Sequence, residues 1–150
     1  MKIEHFLLKK RHFRGNLLYK KGVIMKFLHS MIRVSNLETS MKFYKDLLGL
    51  VPSYNVRLED CTLHYLKDEK TGVEIELTVN DENPENGYTQ GTAFGHFAFE
   101  VDDMSEVVKQ VEKLGYKWLY EPFYMEEIKT QIAFIKDPDG NEIEFIEKQK

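Results

Sequence analysis

Four residues in this chain have the types and spacing to hold a divalent metal. His29 is followed 47 residues later by Glu76, and His96 is followed 48 residues later by Glu144. The two pairs lie 67 residues apart. Two imidazole nitrogens and two carboxylate oxygens are a natural ligand set for a divalent ion. Taken singly, each residue has an ordinary reading, as a structural histidine within a strand or a glutamate on a strand's solvent face. Recurrence at matched offsets sets the four apart from those readings.

The surrounding sequence repeats in step with them. A strand over 26–34 leads to Ser35-Asn36-Leu37-Glu38, a capping-box pattern with Ser35 as cap and Glu38 at the third helical position. A helix to about residue 48 carries Met41, Phe43, Tyr44, Leu47 and Leu48 on one stripe. Gly49 suits the left-handed residue that ends it. Strands are expected over 51–57 and 62–66, then a turn over 67–72 and an alternating strand over 73–78.

The second half has the same order. A strand over 95–101 holds His96, and Asp102 or Asp103 caps the next helix. Val107, Val108, Val111 and Leu114 supply its stripe, and Gly115 ends it. Strands follow over 116–119 and 131–135. Asp137-Pro138-Asp139-Gly140 is strong turn chemistry, and the final strand covers 141–146. Gly72 lies four residues before Glu76, and Gly140 four before Glu144. The reading is an α+β fold of two tandem βαβββ modules, 26–80 and 94–147, joined by a polar linker over 81–93. In a duplicated sheet, equivalent positions on first and last strands can converge on one site.

Composition bounds the partners. The chain of 150 residues is 42% apolar and 31% charged, with net charge −4, ordinary for a globular domain. Residues 1–24 carry seven Lys/Arg and one acid, while the remainder carries 14 basic and 24 acidic residues. An acidic body argues against nucleic acid as the main partner. The basic leader lacks clear periodicity, and His5 and His12 within it are set aside as ligands. Residues 25–29 open the first credible strand, so translation is expected to start at Met25 and the folded domain to run over 25–150. No apolar run is long enough for a membrane helix. The single cysteine, Cys61, points to a reducing, cytoplasmic setting.

Five runs carry a family resemblance. They are Phe-Leu-His-Ser-Met-Ile-Arg-Val over 27–34, Phe-Tyr-Lys-Asp-Leu-Leu-Gly-Leu over 43–50 and Ile-Glu-Leu-Thr-Val-Asn over 75–80. Gly-Thr-Ala-Phe-Gly-His over 91–96 follows, then Ile-Ala-Phe-Ile-Lys-Asp-Pro-Asp-Gly-Asn-Glu-Ile-Glu over 132–144. The chain resembles glyoxalase I (lactoylglutathione lyase) of the vicinal oxygen chelate superfamily. The ligand order His, Glu, His, Glu separates this family from relatives with three ligands and from epimerases with Gln in place of Glu76.

The resemblance implies a glyoxalase-like half-barrel fold. It also implies isomerisation of a methylglyoxal–thiol hemithioacetal to an S-lactoyl thioester. His29, Glu76, His96 and Glu144 would hold nickel, cobalt or zinc, with Glu144 as general base. Arg33 and Asn80 match contacts to the γ-glutamyl end of glutathione. A Lys-Gly-Gly-Thr-like loop of the family is absent, and Glu126 stands about where its Lys would be. The co-substrate is thus glutathione or another low-molecular-weight thiol. The resemblance also implies a homodimer with shared sites, although intrachain pairing of the modules fits the sequence equally. Acyl-CoA epimerisation, thiol transfer or metal-free binding of a small ligand are the competing functions.

Overall fold

The duplicated order becomes two matching units in a computed structural model, which describes residues 25–149. The basic leader over 1–24, with His5 and His12, lies outside the described residues. The first unit contains strand β1 (His29–Arg33), helix α1 (Leu37–Lys42), a π-helical turn (Phe43–Leu47), and strands β2 (Val51–Arg57), β3 (Cys61–Lys67) and β4 (Glu74–Asn80). The second contains β5 (His96–Val101), α2 (Met104–Leu114), β6 (Trp118–Met125), β7 (Thr130–Lys136) and β8 (Glu142–Glu147). Each unit forms a four-stranded sheet, in the orders β1-β4-β3-β2 and β5-β8-β7-β6. First and last strands pair in parallel and the other pairs are antiparallel. The expected α+β order of two βαβββ units is present.

Local chemistry explains the helix ends, with two corrections. Asn36, not Ser35, caps α1: its side chain accepts a hydrogen bond from the Thr39 N–H at 3.0 Å. The Ser35 N–H instead donates to Asp139 Oδ1 at 2.9 Å, so a turn of the second unit holds this entry to the helix. The α-helix also ends at Lys42, and the stretch expected to continue it widens into the π-helical turn. That turn buries both Phe43 and Tyr44 completely. In the second unit Asp103 caps α2, accepting from the Ser105 N–H at 2.8 Å, and Gly115 ends it at φ +77°.

One hydrophobic core joins the units. Val34, Phe43, Tyr44, Leu66, Ile75 and Leu77 from the first unit cluster with Met104, Ala133, Ile135, Ile143 and Phe145 from the second. Phe43 meets Tyr116 edge to face, with ring centroids 5.1 Å apart. The 81–93 segment is stitched down by polar contacts. Asn83 Nδ2 donates to the Ser35 carbonyl at 2.9 Å, and Gln90 Nε2 to the Asp139 carbonyl at 2.7 Å.

The helices and core cover one face of each sheet. Strand alternation sends Ile75, Leu77, Ile143 and Phe145 into the core and their neighbours to the opposite face. That second face is open: β2 is exposed throughout, and Tyr54, Tyr120 and Phe123 are large exposed aromatics. Strand β6 runs well beyond the expected 116–119. It passes through Pro122 because β6 is a sheet edge with register irregularities, where a missing N–H is tolerated. No helix among the described residues is long and apolar enough to cross a membrane.

Candidate metal centre

The four predicted ligands lie on the open faces, two on each sheet. His29 opens β1 and Glu76 lies on neighbouring β4; Met31 is directly opposite Glu76 in the parallel register. In the second unit Ala98 is directly opposite Glu144, with His96 two residues before it on β5. The register is therefore the same in both units, and each histidine reaches diagonally across to its glutamate. His29 Nε2 stands 3.2 Å from Glu76 Oε2, and His96 Nε2 stands 2.9 Å from Glu144 Oε2.

These distances fit a shared cation. Two neighbouring ligands with bonds of about 2.1 Å at a right angle stand about 3 Å apart. An imidazole lone pair facing a carboxylate at such a distance needs a proton or a cation between them. Both carboxylates are buried, at 6% and 9% exposure, while the histidines open to the sheet face. A buried, ionised carboxylate is costly unless it is paired. The donor chemistry therefore fits half of a divalent site in each unit.

The two halves stand apart among the described residues. Among the described residues, no three His, Cys, Asp or Glu side chains come together in a metal-holding group. Intrachain convergence, left open by the sequence, is absent from this arrangement. Two equal His–Glu pairs face outward from separate sheets.

The remaining predicted residues share the first sheet's open face. Arg33 ends β1 opposite Thr78, on the same side of the strand as His29, and is exposed. It makes no ion pair among the described residues. Asn80 ends β4, and its amide donates to the Tyr88 hydroxyl at 2.9 Å. Tyr88 in turn donates to Asn83 at 3.0 Å. His64 alternates to the other face, beside Leu77 in the register, and burial holds its imidazole below the ordinary pKa. The 126–129 segment, with Glu126, is the exposed β6–β7 turn, and Lys129 takes φ +55° there.

Sequence reasoning passed over the residues that surround Glu76. Thr78 Oγ1 donates to Glu76 Oε1 at 2.9 Å. Tyr65 lies directly opposite Glu76 on β3. The neighbouring Glu76 carboxylate, with burial, pushes the Tyr65 phenol above its ordinary pKa. Tyr65 packs edge-on to the His29 ring at 5.4 Å and stacks on Tyr54 at 4.3 Å. Thr78 was accessible from alternation alone, being two residues beyond Glu76. Tyr65 required the β3–β4 register, which no local pattern supplies.

Known proteins share this architecture. A family model described as Glyoxalase/Bleomycin resistance protein/Dioxygenase superfamily matches residues 26–145. The lactoylglutathione lyase of Neisseria meningitidis serogroup A is 39% identical over 132 residues, covering 83% of this chain and 92% of that protein. The lactoylglutathione lyase of Haemophilus influenzae is also 39% identical over 132 residues, covering 83% and 94%. The crystal structure of glyoxalase I from Zea mays aligns with a TM-score of 0.73 at 32% identity. That alignment covers 83% of this chain and 45% of the longer maize chain. The chain thus belongs to the Glyoxalase/Bleomycin resistance protein/Dioxygenase superfamily and, within it, to the lactoylglutathione lyase family of enzymes.

Proposed function

We propose that this protein isomerises the hemithioacetal of methylglyoxal and a low-molecular-weight thiol to the S-lactoyl thioester, at a divalent metal site shared between two copies of the chain. The observation that carries the reading is the pair of equivalent His–Glu half-sites, at 3.2 and 2.9 Å, each without further ligands among the described residues of its own chain. Residues His29 and Glu76 of one copy, with His96 and Glu144 of the second, complete a four-ligand set. The same pairing forms twice in a symmetric dimer, giving two sites.

The open sheet faces support a second copy as their cover. Met31, Val51, Tyr54 and Val56 on one sheet, and Tyr120 and Phe123 on the other, are exposed on the faces that carry the half-sites. Continuous apolar surface of this kind marks an association face. Closing it would also exclude water from the reacting centre and strengthen electrostatic interactions there.

His29, Glu76, His96 and Glu144 would hold a divalent ion, whose positive charge would lower the cost of charge that develops on the substrate's oxygens. The rest is the work of side chains. Glu144 takes the proton from the carbon that bears the hydroxyl and sulfur, and a proton is returned to the adjacent carbon. The C–S bond stays intact while the first carbon becomes a thioester carbonyl and the second a secondary alcohol. Arg33, exposed and free of an ion pair among the described residues, offers a two-pronged contact to a carboxylate of the thiol. Asn80 orients its amide through Tyr88. The mixed N/O donors accept nickel, cobalt or zinc. Glutathione is the first thiol to test. Cys61 is free and buried, which fits a reducing, cytoplasmic setting.

The test is S-lactoyl thioester formation from methylglyoxal and glutathione after metal removal and reconstitution. Activity should vanish with a chelator and return with nickel, cobalt or zinc. Absence of turnover with every metal and thiol combination would overturn the reading in favour of epimerisation, thiol transfer or ligand binding.

A further inference from the structure

The two half-sites are equal in their ligands and unequal in what holds them. Tyr65 stands opposite Glu76 in the β3–β4 register, and Phe134 stands opposite Glu144 in the β7–β8 register. Thr78 lies two residues beyond Glu76 on the same face, and Ile146 lies two beyond Glu144. Each position that carries a hydroxyl beside Glu76 thus carries hydrocarbon beside Glu144. The aromatic packing is otherwise parallel: Tyr65 meets His29 edge-on at 5.4 Å and Phe134 meets His96 edge-on at 5.7 Å.

The consequence for the carboxylates is direct. Glu76 has Oε1 held by Thr78 at 2.9 Å and Oε2 at His29, with Tyr65 directly opposite it in the register. Tyr65 is itself immobilised, 8% exposed and stacked on Tyr54 with the rings 15° from parallel. Glu144 has His96 as its polar partner, and no hydroxyl of the described residues reaches it. Hydrogen bonds to an ionised carboxylate are roughly twice as strong as neutral ones. They oppose the rotation a carboxylate needs to swing from a metal toward a substrate carbon.

We propose that Tyr65 and Thr78 are positioning residues that lock Glu76 as a fixed ligand, leaving Glu144 as the carboxylate free to carry the proton. This rests on the metal-centre reading above. It adds the reason why a duplicated site works asymmetrically. The asymmetry resides in the opposing strand and the next residue on the same strand, not in the ligands.

The test removes the tether on one side and transplants it to the other, in the full chain. The double variant Tyr65→Phe/Thr78→Val should bind Zn²⁺ about 10- to 100-fold more weakly, measured by competition with a chelating dye. In a Glu144→Gln background the same pair should raise kcat, because Glu76 becomes able to move. The converse variant Phe134→Tyr/Ile146→Thr should lower kcat by about 10- to 100-fold with KM unchanged and Zn²⁺ bound at least as tightly. Phe134→Tyr alone changes one atom at a half-exposed ring and should show the same direction. Unchanged kcat in both converse variants, or unchanged Zn²⁺ affinity in the tether-free variant, overturns the proposal. Failure of the underlying reading would look different: His29→Ala would then leave Zn²⁺ affinity intact, and Glu144→Gln alone would turn over normally.

Discussion

The Tyr44 hydroxyl donates to Asp137 Oδ2 at 2.7 Å, joining the π-helical turn of the first unit to the turn before the last strand of the second. Asp137 also accepts from the Asn141 N–H at 2.7 Å, the Asn141 side chain at 2.8 Å and the Asp139 N–H at 3.0 Å. This buried cluster fixes how the units dock, and the docking decides where the two half-sites face.

That contact predicts alkaline sensitivity. Burial and the adjacent Asp137 push the Tyr44 phenol well above its ordinary pKa. An unfolded tyrosine ionises near about pH 10. The group's contribution to stability is therefore complete below that value and is lost as pH rises beyond it, because only the unfolded chain releases the proton there. Tyr65 and Tyr116 shift in the same direction. Tyr44→Phe should cost about 1 kcal/mol near neutrality and flatten the alkaline fall in urea midpoint. An undiminished fall would assign the effect to other groups.

Glu144→Gln tests the base. The amide keeps the shape of the side chain and cannot take the proton. Expected is a fall in kcat of about 10²- to 10⁴-fold with an unchanged far-ultraviolet circular dichroism spectrum. Near-normal turnover would remove Glu144 from that role.

Mixing inactive variants tests the shared site. His29→Ala and His96→Ala should each abolish activity. In a mixed dimer one site collects both substitutions and the other collects none. Unfolding and refolding the two variants together should therefore restore activity, through one intact site per mixed dimer. Intrachain sites predict no recovery at any mixing ratio.

The thiol arm is tested at Arg33. Arg33→Ala should raise KM for the glutathione hemithioacetal by about 10- to 100-fold, the worth of a charge-assisted contact, with kcat little changed. A thiol without a matching carboxylate should show no such change. Glu126→Lys should lower KM for glutathione if the exposed β6–β7 turn reaches the glycyl end. An unaltered KM would place that turn away from the thiol.

Much of the scaffold was legible because its signals are local. The helix stripes, Gly49 and Gly115 with positive φ, and the Asp137–Gly140 turn each depend on residues a few positions apart. So does the alternation that put Glu76 and Glu144 on the open faces. The misreadings share a cause in contacts remote in sequence. Asn36 takes the cap, while the Ser35 N–H is engaged by Asp139 of the second unit. The expected single helix acquired a π-helical turn where Phe43 and Tyr44 reach across to Tyr116 and Asp137. Strand β6 passes Pro122 because it forms an edge.

The sequence by itself determined the fold class and singled out four candidate donors, because a duplication writes the same side-chain periods twice. It could not determine which donors meet, because pairing across sheets depends on how the shared core sets them. Only the tertiary structure showed that the described residues hold two separate His–Glu pairs on two sheets. It also decided that Tyr65 and Thr78 hold one glutamate while Phe134 and Ile146 leave the other free. That difference is set by strand register, a long-range property absent from any local pattern.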